Sequence, residues 1–578
     1  MKKKGFKKKN KNKSFFFEDY SEPNTISDIT DNNSLKVSLN RITFLSLIFL
    51  SLIFIFCFKI FYLSFSSEKI FTLKKNYHNF IKERRDIVDR NGSILARNIE
   101  IYTAGVKPNL IKDKKKFLIK IKLIFPDLDT ALLKKKLNKN KFFYIKRRLT
   151  EDQKTQLWLL GDKAIVFEKK QFRIYPQKNL FSHVLGQVDD GNIGISGVEK
   201  YFDTKLKNKK IIESPITLTL DSNLQFLIRE ELEKAKDDFN TTGSAALLMD
   251  VGNGEILSLI SLPDYDLNKR SSIKSKNFIN KITLGVYELG SVFKTFTIAA
   301  ALENKIIKKD TLFKNLEDSL RCDKYTINEH DKLPKNLNTE QILIRSSNIG
   351  AVRIAQKLGV EKYKSFLNSL GLFNKINFEL EEIGTPLSFK WGKCKLATSS
   401  YGHGITTTPL QLARAYSILG NGGYSIEPFL LKKEKKSLKE KRSKIISEKT
   451  SITINSMLRK VVSEDEGTAN FANIRGYDVG GKTGTAVKYN SNSKLNTFVS
   501  IFPTQNPKYL LLVILDDPKP APDFVYNMPP TENYPEGYKY KGEKRNTSGW
   551  NTVVVAGKII KKIGPILAIN NLQASSKF

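Results

Sequence analysis

Ser291 and Lys294 are the residues in this sequence whose types and spacing best suit nucleophilic chemistry. Ser291 follows a glycine, Lys294 comes three positions later, and the apolar run Ile298–Leu302 continues the segment. Positions i and i+3 of a helix share a face about one turn apart. A helix that is apolar on nearly all sides is buried, and burial drives a lysine towards its neutral amine. The spacing therefore predicts a serine nucleophile beside its general base, at a helix N-terminus that favours developing negative charge.

The Ser-x-x-Lys pattern is weak when it stands alone. Three other places in the chain match it: Ser66 and Lys69, Ser271 and Lys274, and Ser491 and Lys494. None of them is followed by a buried-helix pattern, so each is interpreted as a surface serine near a lysine. Its helical context and the motifs downstream distinguish Ser291.

Two later clusters could complete a site around Ser291. Ser346 and Asn348 follow a helix-like segment, residues 339–345, although Ser-x-Asn is also weak because Ser38–Asn40 repeats it. The segment Gly481–Ala486 occurs once, after an apparent glycine turn, and predicts the start of an edge strand. Without further context, that segment would be an ordinary hairpin edge.

The elements around these residues predict the fold class. Apolar stretches on both sides of Gly252-Asn253-Gly254 predict a β-hairpin before Ser291, and two strands and a helix are predicted near the end of the chain. These elements span residues 244–250, 255–261, 497–502, 509–515 and 553–563. Strands at both ends of a helical middle predict one antiparallel β-sheet flanked by helices, an α+β domain.

A long apolar run near the N-terminus predicts a membrane anchor. Residues 42–58 contain no charge, and extension past Lys59 to Leu63 gives 22 residues, about 33 Å of helix. A retained anchor is favoured over a cleaved signal peptide because no small-residue cleavage site follows. Six lysines between Lys2 and Lys9 favour a cytoplasmic N-terminal tail, which places the catalytic residues across the membrane.

Charge and cysteine content exclude some functions and leave one question open. The net charge of +38 is spread over the whole chain without a compact basic motif, so nucleic-acid binding is not expected. An anionic lipid or cell-wall polymer is a compatible partner. None of Cys57, Cys322 and Cys394 has metal-ligand spacing, and a Cys322–Cys394 bridge is possible in an oxidising compartment.

Taken together, the three motifs resemble the active site of penicillin-binding proteins and serine β-lactamases. They are Ser291-x-x-Lys294, Ser346-x-Asn348 and Lys482-Thr483-Gly484, with gaps of 55 and 136 residues similar to those of class B, monofunctional transpeptidases. The stretches at residues 89–92, 197–199, 401–413 and 466–469 extend the resemblance to roughly residues 80–565. The sequence of residues 85–96 resembles that of the division-type enzyme, which builds septal peptidoglycan. The elongation-type enzyme is the alternative. Leu289 departs from the family pattern, which usually has proline there.

The resemblance implies a role for each motif residue. Ser291 would attack the D-alanyl-D-alanine carbonyl of a stem peptide, and Lys294, as a free amine, would take its proton. Ser346 and Lys482 would relay a proton to the leaving amine, and Asn348 would orient Lys294 and the substrate amide. Thr483, Gly484 and Thr485 would bind the substrate, with the two threonines on its carboxylate and the backbone N–H groups of Ser291 and Thr485 as the oxyanion hole. No metal or cofactor is expected.

The resemblance also implies a domain plan. We expect a basic, disordered tail (1–41), a transmembrane helix (42–63), an elongated N-terminal pedestal domain (64–215), a transpeptidase domain (216–565) and a short tail (566–578). The expected partners are D-Ala-D-Ala stem peptides, β-lactams, the inner membrane, and membrane proteins of the division complex that include a glycan polymerase. The expected location is the bacterial inner membrane, with a single span and a periplasmic catalytic domain.

Three other functions were weighed against this interpretation. A β-lactamase would need a base for a deacylating water, and the sequence offers no clear candidate. A β-lactam sensor would normally show several membrane spans. A non-catalytic division scaffold is disfavoured because every motif residue is present. His78, His183, His330 and His403 are the only histidines, and a Ser-His-Asp triad would need one beside Ser291. For His403, in its glycine-rich loop, a structural role is favoured over one in the cleft.

Overall fold

The computed structural model describes residues 32–75, 83–269, 279–323, 325–392, 394–433, 442–488, 491–530 and 534–575. The chain divides into two compact units, residues 1–81 and 82–578. The first 31 residues of the expected basic tail lie outside the described residues.

Helix α1 (Asn32–Lys75) belongs to the first unit and contains the expected anchor. Its segment Arg41–Tyr62 is, among the described residues, the one helix long and apolar enough to cross a membrane. Its large apolar side chains are exposed, from Ile48 at 40% to Phe54 at 74%, as expected where lipid and not protein surrounds a helix. The predicted helix over 42–63 is confirmed.

The second unit begins with a module of short helices on a small sheet. Its strands are β1 (Ile87–Val88), β2 (Ile94–Val106), β3 (Phe143–Lys146), β4 (Ile165–Ile174) and β5 (Ile216–Thr217). Its helices are α2 (Lys114–Ile124), α3 (Thr130–Asn138), α4 (Glu151–Leu159), α5 (Ser182–Leu185), α6 (Gly197–Tyr201) and α7 (Asp203–Leu206). Strand β2 pairs antiparallel with β1, β3 and β4, and Asn91-Gly92 lies in the turn between β1 and β2.

The lysine-rich residues 110–165 have a helix-favouring sequence, but β3 interrupts the helices there because its aromatic and branched residues pair with β2. Strand β5, which begins at Ile216, pairs in parallel with β1. A buried carboxylate, that of Glu199, holds the module together: it accepts from Arg84 Nε at 2.6 Å and from Arg173 Nε at 2.7 Å. A buried charge needs such partners.

The remaining strands and helices form the α+β domain. The strands are β6 (Gly243–Asp250), β7 (Ile256–Leu262), β8 (Leu312–Phe313), β9 (Ser319–Cys322), β10 (Tyr325–Asn328), β11 (Leu337–Asn338), β12 (Gly480–Val487), β13 (Lys494–Phe502), β14 (Tyr509–Asp516), β15 (Ala521–Met528) and β16 (Tyr538–Glu543). The helices are α8 (Ser222–Phe239), α9 (Phe293–Glu303), α10 (Thr339–Ile344), α11 (Asn348–Leu358), α12 (Val360–Ser369), α13 (Lys395–Ser400), α14 (Pro409–Gly420), α15 (Glu448–Ser463) and α16 (Thr552–Ser575).

One five-stranded antiparallel sheet organises this domain, in the order β12-β13-β14-β6-β7. Its central strands, β6 and β14, are buried along their whole length, and helices α8 and α16 pack against the sheet. The predicted α+β class, the edge position of β12 and the strand pairs on both sides of the helical middle are confirmed.

The C-terminal helix is longer than predicted. It was expected over residues 553–563, but α16 runs from Thr552 to Ser575 and passes through Pro565. Buried Leu567 continues its apolar face, and the Tyr509 hydroxyl donates to Asn571 Oδ1 at 2.8 Å. The segment expected as a tail is therefore helical as far as Ser575.

A disulfide joins Cys322, the last residue of β9, to Cys394, the residue before α13. Their Cα atoms are 5.7 Å apart. This answers the question that the sequence left open about these two cysteines. The bridge ties the β9–β10 hairpin to the segment that leads into the glycine-rich loop around His403.

Candidate active site

Ser291 lies in a 3-10 turn, Gly290–Val292, that runs directly into α9. Gly290 has a φ of +64°, and a Cβ at this position would lie 2.6 Å from the carbonyl oxygen of Thr485. A Cβ on Gly484 would lie 2.2 Å from the carbonyl oxygen of Leu289. Two glycines thus let the serine turn and the edge strand β12 approach at backbone distance.

The helix that follows Ser291 is buried on all sides. Every residue from Phe293 to Ala301 is inaccessible to solvent, as the apolar sequence predicts. The Tyr416 hydroxyl fixes the first turn, since it hydrogen-bonds the carbonyl of Val292 at 2.7 Å and Thr295 Oγ1 at 2.8 Å. Leu289, which replaces the proline usual in the family, is buried in the core. Packing therefore holds this turn.

Ser346, from the second motif, lies between Lys294 of the first motif and Lys482 of the third. Lys294 Nζ donates to Ser346 Oγ at 3.1 Å and also to the Ser346 carbonyl, and Lys482 Nζ donates to the same Oγ at 2.9 Å. Ser346 has a φ of +59°, a left-handed conformation that is costly for a residue with a side chain. Such strain is typical of functional sites, where the surrounding structure enforces it.

The two lysines are electrostatically unusual. Both are fully buried, and burial lowers the pKa of Lys294 to about 7, against an opposing effect of the nearby Glu329 carboxylate. Burial, followed by the charge of Lys294, also lowers the pKa of Lys482 well below its ordinary value. Two ammonium groups around one buried oxygen repel each other, so the arrangement favours a neutral amine at neutral pH. That amine is what general-base chemistry at Ser291 requires.

Ser291 itself is the least constrained of the motif residues. The residue is buried, at 9% exposure. Its hydroxyl has no hydrogen-bond partner among the residues that the structure describes. Lys294 instead donates to Ser346. Catalytic hydrogen bonds commonly tighten only once substrate is bound, so this geometry is compatible with a serine–lysine pair.

Asn348 begins α11 and is held by residues outside the three motifs. Its Nδ2 donates to the carbonyl of Asn328 at 2.7 Å, and its backbone N–H donates to Glu329 Oε2 at 2.7 Å. Its Oδ1 is buried and lacks a hydrogen-bond partner within the described part of the chain. The expected contact between Asn348 and Lys294 is not formed in this structure. Sequence reasoning missed Asn328 and Glu329, because nothing in their spacing marks them.

The third motif lies along β12, at the edge of the sheet. Thr483 Oγ1 is 3.0 Å from Thr468 Oγ1 and 3.3 Å from Lys482 Nζ. Thr485 Oγ1 accepts from the backbone N–H of Ser548 at 3.1 Å. Thr483 is thus linked to the Glu466–Ala469 segment, one of the stretches that extend the family resemblance. Lys482 lies on the same strand as Thr483 and Thr485 and connects β12 to Ser346.

His403 is closer to the site than its predicted structural role suggests. Its ring lies 4.9 Å from that of Tyr401, and burial followed by the charge of Lys294 lowers its pKa to about 4. Its Nδ1 is buried and has no hydrogen-bond partner in the described ranges. The preceding Gly402 contacts the serine turn, since a Cβ there would lie 2.0 Å from the Gly290 carbonyl oxygen. The glycine-rich loop therefore borders the turn that carries the nucleophile.

Comparisons with known proteins match two parts of the chain to known families. Residues 244–528 match the family described as Penicillin binding protein transpeptidase domain. Residues 82–223 match the family described as Penicillin-binding Protein dimerisation domain. All eight motif residues lie within the first of these ranges.

Several named proteins are similar over most of the chain. The "Probable peptidoglycan D,D-transpeptidase FtsI" of Caulobacter vibrioides is 30% identical over 501 residues, 84% of this chain and 82% of that protein. The "Peptidoglycan D,D-transpeptidase FtsI" of Buchnera aphidicola is 30% identical over 530 residues, covering 83% and 91%. The fold is similar to that of penicillin-binding protein 3 from Mycobacterium tuberculosis in its apo form, with a TM-score of 0.62 and 21% identity over 85% of this chain and 96% of that one.

Proposed function

The chain belongs to the class B penicillin-binding proteins and is a peptidoglycan D,D-transpeptidase, and from this premise we propose how its residues perform the transfer. Ser291 is the nucleophile, Lys294 its general base, and Ser346, Asn348 and Lys482 assist. The observation that carries this assignment is the pair of buried lysines on the single Ser346 hydroxyl, at 3.1 and 2.9 Å.

The first half of the reaction forms an acyl-enzyme. Ser291 Oγ attacks the carbonyl carbon of the penultimate D-alanine, and its proton passes to the neutral amine of Lys294. The carbonyl π electrons move to the oxygen, which the backbone N–H groups of Ser291 and Thr485 stabilise; one such donor is worth about 3 kcal/mol. The C–N bond then breaks, and the leaving D-alanine amine takes a proton from the Ser346–Lys482 side.

The second half transfers the acyl group to another stem peptide. An acceptor amine attacks the ester carbonyl, loses its proton to the basic side chains of the site, and releases Ser291 as the hydroxyl. The product is a peptide crosslink. Thr483 and Thr485 bind the donor's terminal carboxylate and Gly484 lets the substrate approach β12, whose position at the sheet edge suits pairing with an extended peptide. β-Lactams are expected to acylate Ser291 because they mimic this donor.

The nucleophile assignment has a direct test. Purified protein incubated with labelled penicillin is expected to form a covalent adduct that Ser291→Ala abolishes. Ser369→Ala, which replaces an exposed serine of α12 whose hydroxyl donates to the Phe366 carbonyl, is the matched control and retains labelling. Labelling that persists in Ser291→Ala refutes the assignment.

We propose septal peptidoglycan synthesis as the cellular role. The names of the Caulobacter and Buchnera relatives support it. Elongation-type synthesis is the alternative, and "Stage V sporulation protein D" of Bacillus subtilis, also 30% identical, is a relative with a different name. A fluorescent fusion is expected to concentrate at the division site of dividing cells. A uniform envelope signal favours the elongation role.

The proposed setting is the inner membrane, with residues 1–41 cytoplasmic, one span at 42–63, and the pedestal (64–215) and transpeptidase (216–565) domains in the periplasm. The apolar helix supports the span, and the disulfide supports the periplasmic side for the catalytic domain, since disulfides persist in oxidising compartments such as the periplasm. Glycan strands are supplied by a separate polymerase among the membrane proteins of the division complex.

A further inference from the structure

Glu329, which belongs to none of the three motifs, holds the turn that carries two of their residues. Its carboxylate accepts hydrogen bonds from Ser347 Oγ at 2.6 Å, from the N–H of Asn348 at 2.7 Å and from the N–H of Ile349 at 2.9 Å. These are the first N–H groups of α11, where an anion is favoured by the helix dipole. Charge-assisted hydrogen bonds of this kind are short and strong.

The residue before Glu329 holds the side chain of the same motif residue. The Asn328 carbonyl accepts from Asn348 Nδ2 at 2.7 Å, which leaves Asn348 Oδ1 buried and unpaired within the described part of the chain. The end of β10 therefore fixes both the backbone and the amide orientation of Asn348. Ser346, two residues earlier, is held in its left-handed conformation beside the two lysines.

The charge of Glu329 also acts on the general base. Four ionisable groups interact electrostatically with Lys294. They are Lys482 on β12, Glu329 and His330 after β10, and His403 before α14. Of these, Glu329 is the acid. Its charge raises the pKa of Lys294 against the larger lowering effect of burial.

We propose that Glu329 is a positioning residue of the transfer reaction, which fixes the Ser346–Asn348 turn against β10 and supplies negative charge to the buried Lys294. The inference rests on the proposed function because it concerns the same site. A simpler interpretation is a helix cap that contributes stability alone. The two interpretations differ in the pH dependence of acylation, which a cap far from Lys294 does not alter.

The chain offers a matched control in Glu303, at the far end of α9. Its carboxylate caps α15, since it accepts from the Ser447 N–H at 3.0 Å, from Ser447 Oγ at 2.8 Å and from Thr450 Oγ1 at 2.5 Å. Nine residues of helix, about 14 Å, separate Glu303 from Lys294. Glu303→Gln therefore removes a comparable capping charge without removing charge from the site.

The experiment measures the rate of acylation by fluorescent penicillin between about pH 5 and pH 9 in four full-length proteins. These are the wild type, Glu329→Gln, Glu329→Asp and Glu303→Gln, with thermal unfolding recorded for each. In Glu329→Gln we expect acylation at high pH to fall about tenfold, because Asn348 and Ser346 lose their support. We also expect its acid limb to move to lower pH, because Lys294 without a nearby anion loses its proton more readily.

The conservative variant and the control complete the test. Glu329→Asp keeps the charge, so its acid limb stays with that of the wild type and its rate at high pH recovers in part. Glu303→Gln keeps both the rate and the limb of the wild type even where its melting temperature falls. Two results together overturn the proposal: the acid limb of Glu329→Gln coincides with that of the wild type, and its rate loss is no larger than that of Glu303→Gln. Absence of acylation in the wild type refutes the proposed function instead.

Discussion

At the scale of single residues, the hydroxyl of Ser346 is the point where the three motifs meet. Residue types and spacing pointed to Ser291 and Lys294, whereas Ser346, Asn348 and Lys482 became candidates through the order of the three motifs and the family resemblance that they carry together. The left-handed φ of Ser346 and the carboxylate of Glu329 could not be predicted. Both depend on how the β9–β10 hairpin packs against α11, a tertiary contact that leaves no local pattern in the sequence.

The protonation of Lys294 gives a prediction at this scale. Its pKa of about 7 means that the amine is mostly neutral above pH 7 and mostly charged below it. A charged Lys294 cannot accept the Ser291 proton, so acylation by labelled penicillin is expected to fall about tenfold for each pH unit below 7. Rate constants measured across this range check the prediction.

Histidines provide the control for that measurement. The pKa of His403 is lowered to about 4, so its charge does not change near neutrality, whereas burial, followed by the charge of Lys294, lowers the pKa of His330 from its ordinary value. His330→Gln is expected to keep the acid limb. Loss of the limb in this variant assigns it to His330 and contradicts the role given to Lys294.

At the scale of elements, alternation and apolar runs predicted the central sheet well, because its buried strands are long and regular. Prediction failed at short or irregular elements. Strand β3 lies in a lysine-rich region that favours helix locally. The C-terminal helix continues past its predicted end because packing against the domain outweighs the cost of Pro565.

The disulfide gives a prediction for the β9–β10 hairpin. The two cysteines are 72 residues apart, and closing a loop of this length is worth about 4 kcal/mol in the chain-entropy account. Replacing Cys322 and Cys394 together with serine is expected to lower the free energy of unfolding by up to that amount. Acylation should also slow, because the hairpin carries Asn328 and Glu329. Denaturant titration and penicillin labelling measure the two effects.

Cys57→Ser is the matched control, since this cysteine lies in the exposed apolar segment of α1 and forms no disulfide. It should leave stability and acylation unchanged. A reducing agent should reproduce the double-serine phenotype in the wild type and have no further effect on the double variant. Equal acylation in the oxidised and reduced wild type contradicts the link between the hairpin and the site.

At the scale of the whole molecule, composition alone was a poor guide to function. The position of the apolar segment and the order of the motifs along the chain were good guides. A net charge of +38 invites a nucleic-acid interpretation, whereas the single apolar segment and the order of the motifs pointed to an anchored enzyme of the cell wall. The expected domain boundaries at residues 215 and 565 remain predictions.

Orientation is the prediction that belongs to this scale. An alkaline phosphatase fused after residue 578 is expected to be active, because that enzyme folds only outside the cytoplasm, where its disulfides form. A fluorescent protein that requires the cytoplasm, fused at the same place, is expected to be dark. The reverse pattern places the catalytic domain in the cytoplasm and contradicts the proposed topology.

The shared hydroxyl of Ser346 has a consequence for the protonation of the two lysines that contact it. Lys294 and Lys482 contact one oxygen, and the charge of Lys294, after burial, lowers the pKa of Lys482. In the proposed mechanism, a proton taken from Ser291 would be returned through the same oxygen to the departing D-alanine. The lysine pair would then hold this proton from the attack of Ser291 until the amine leaves.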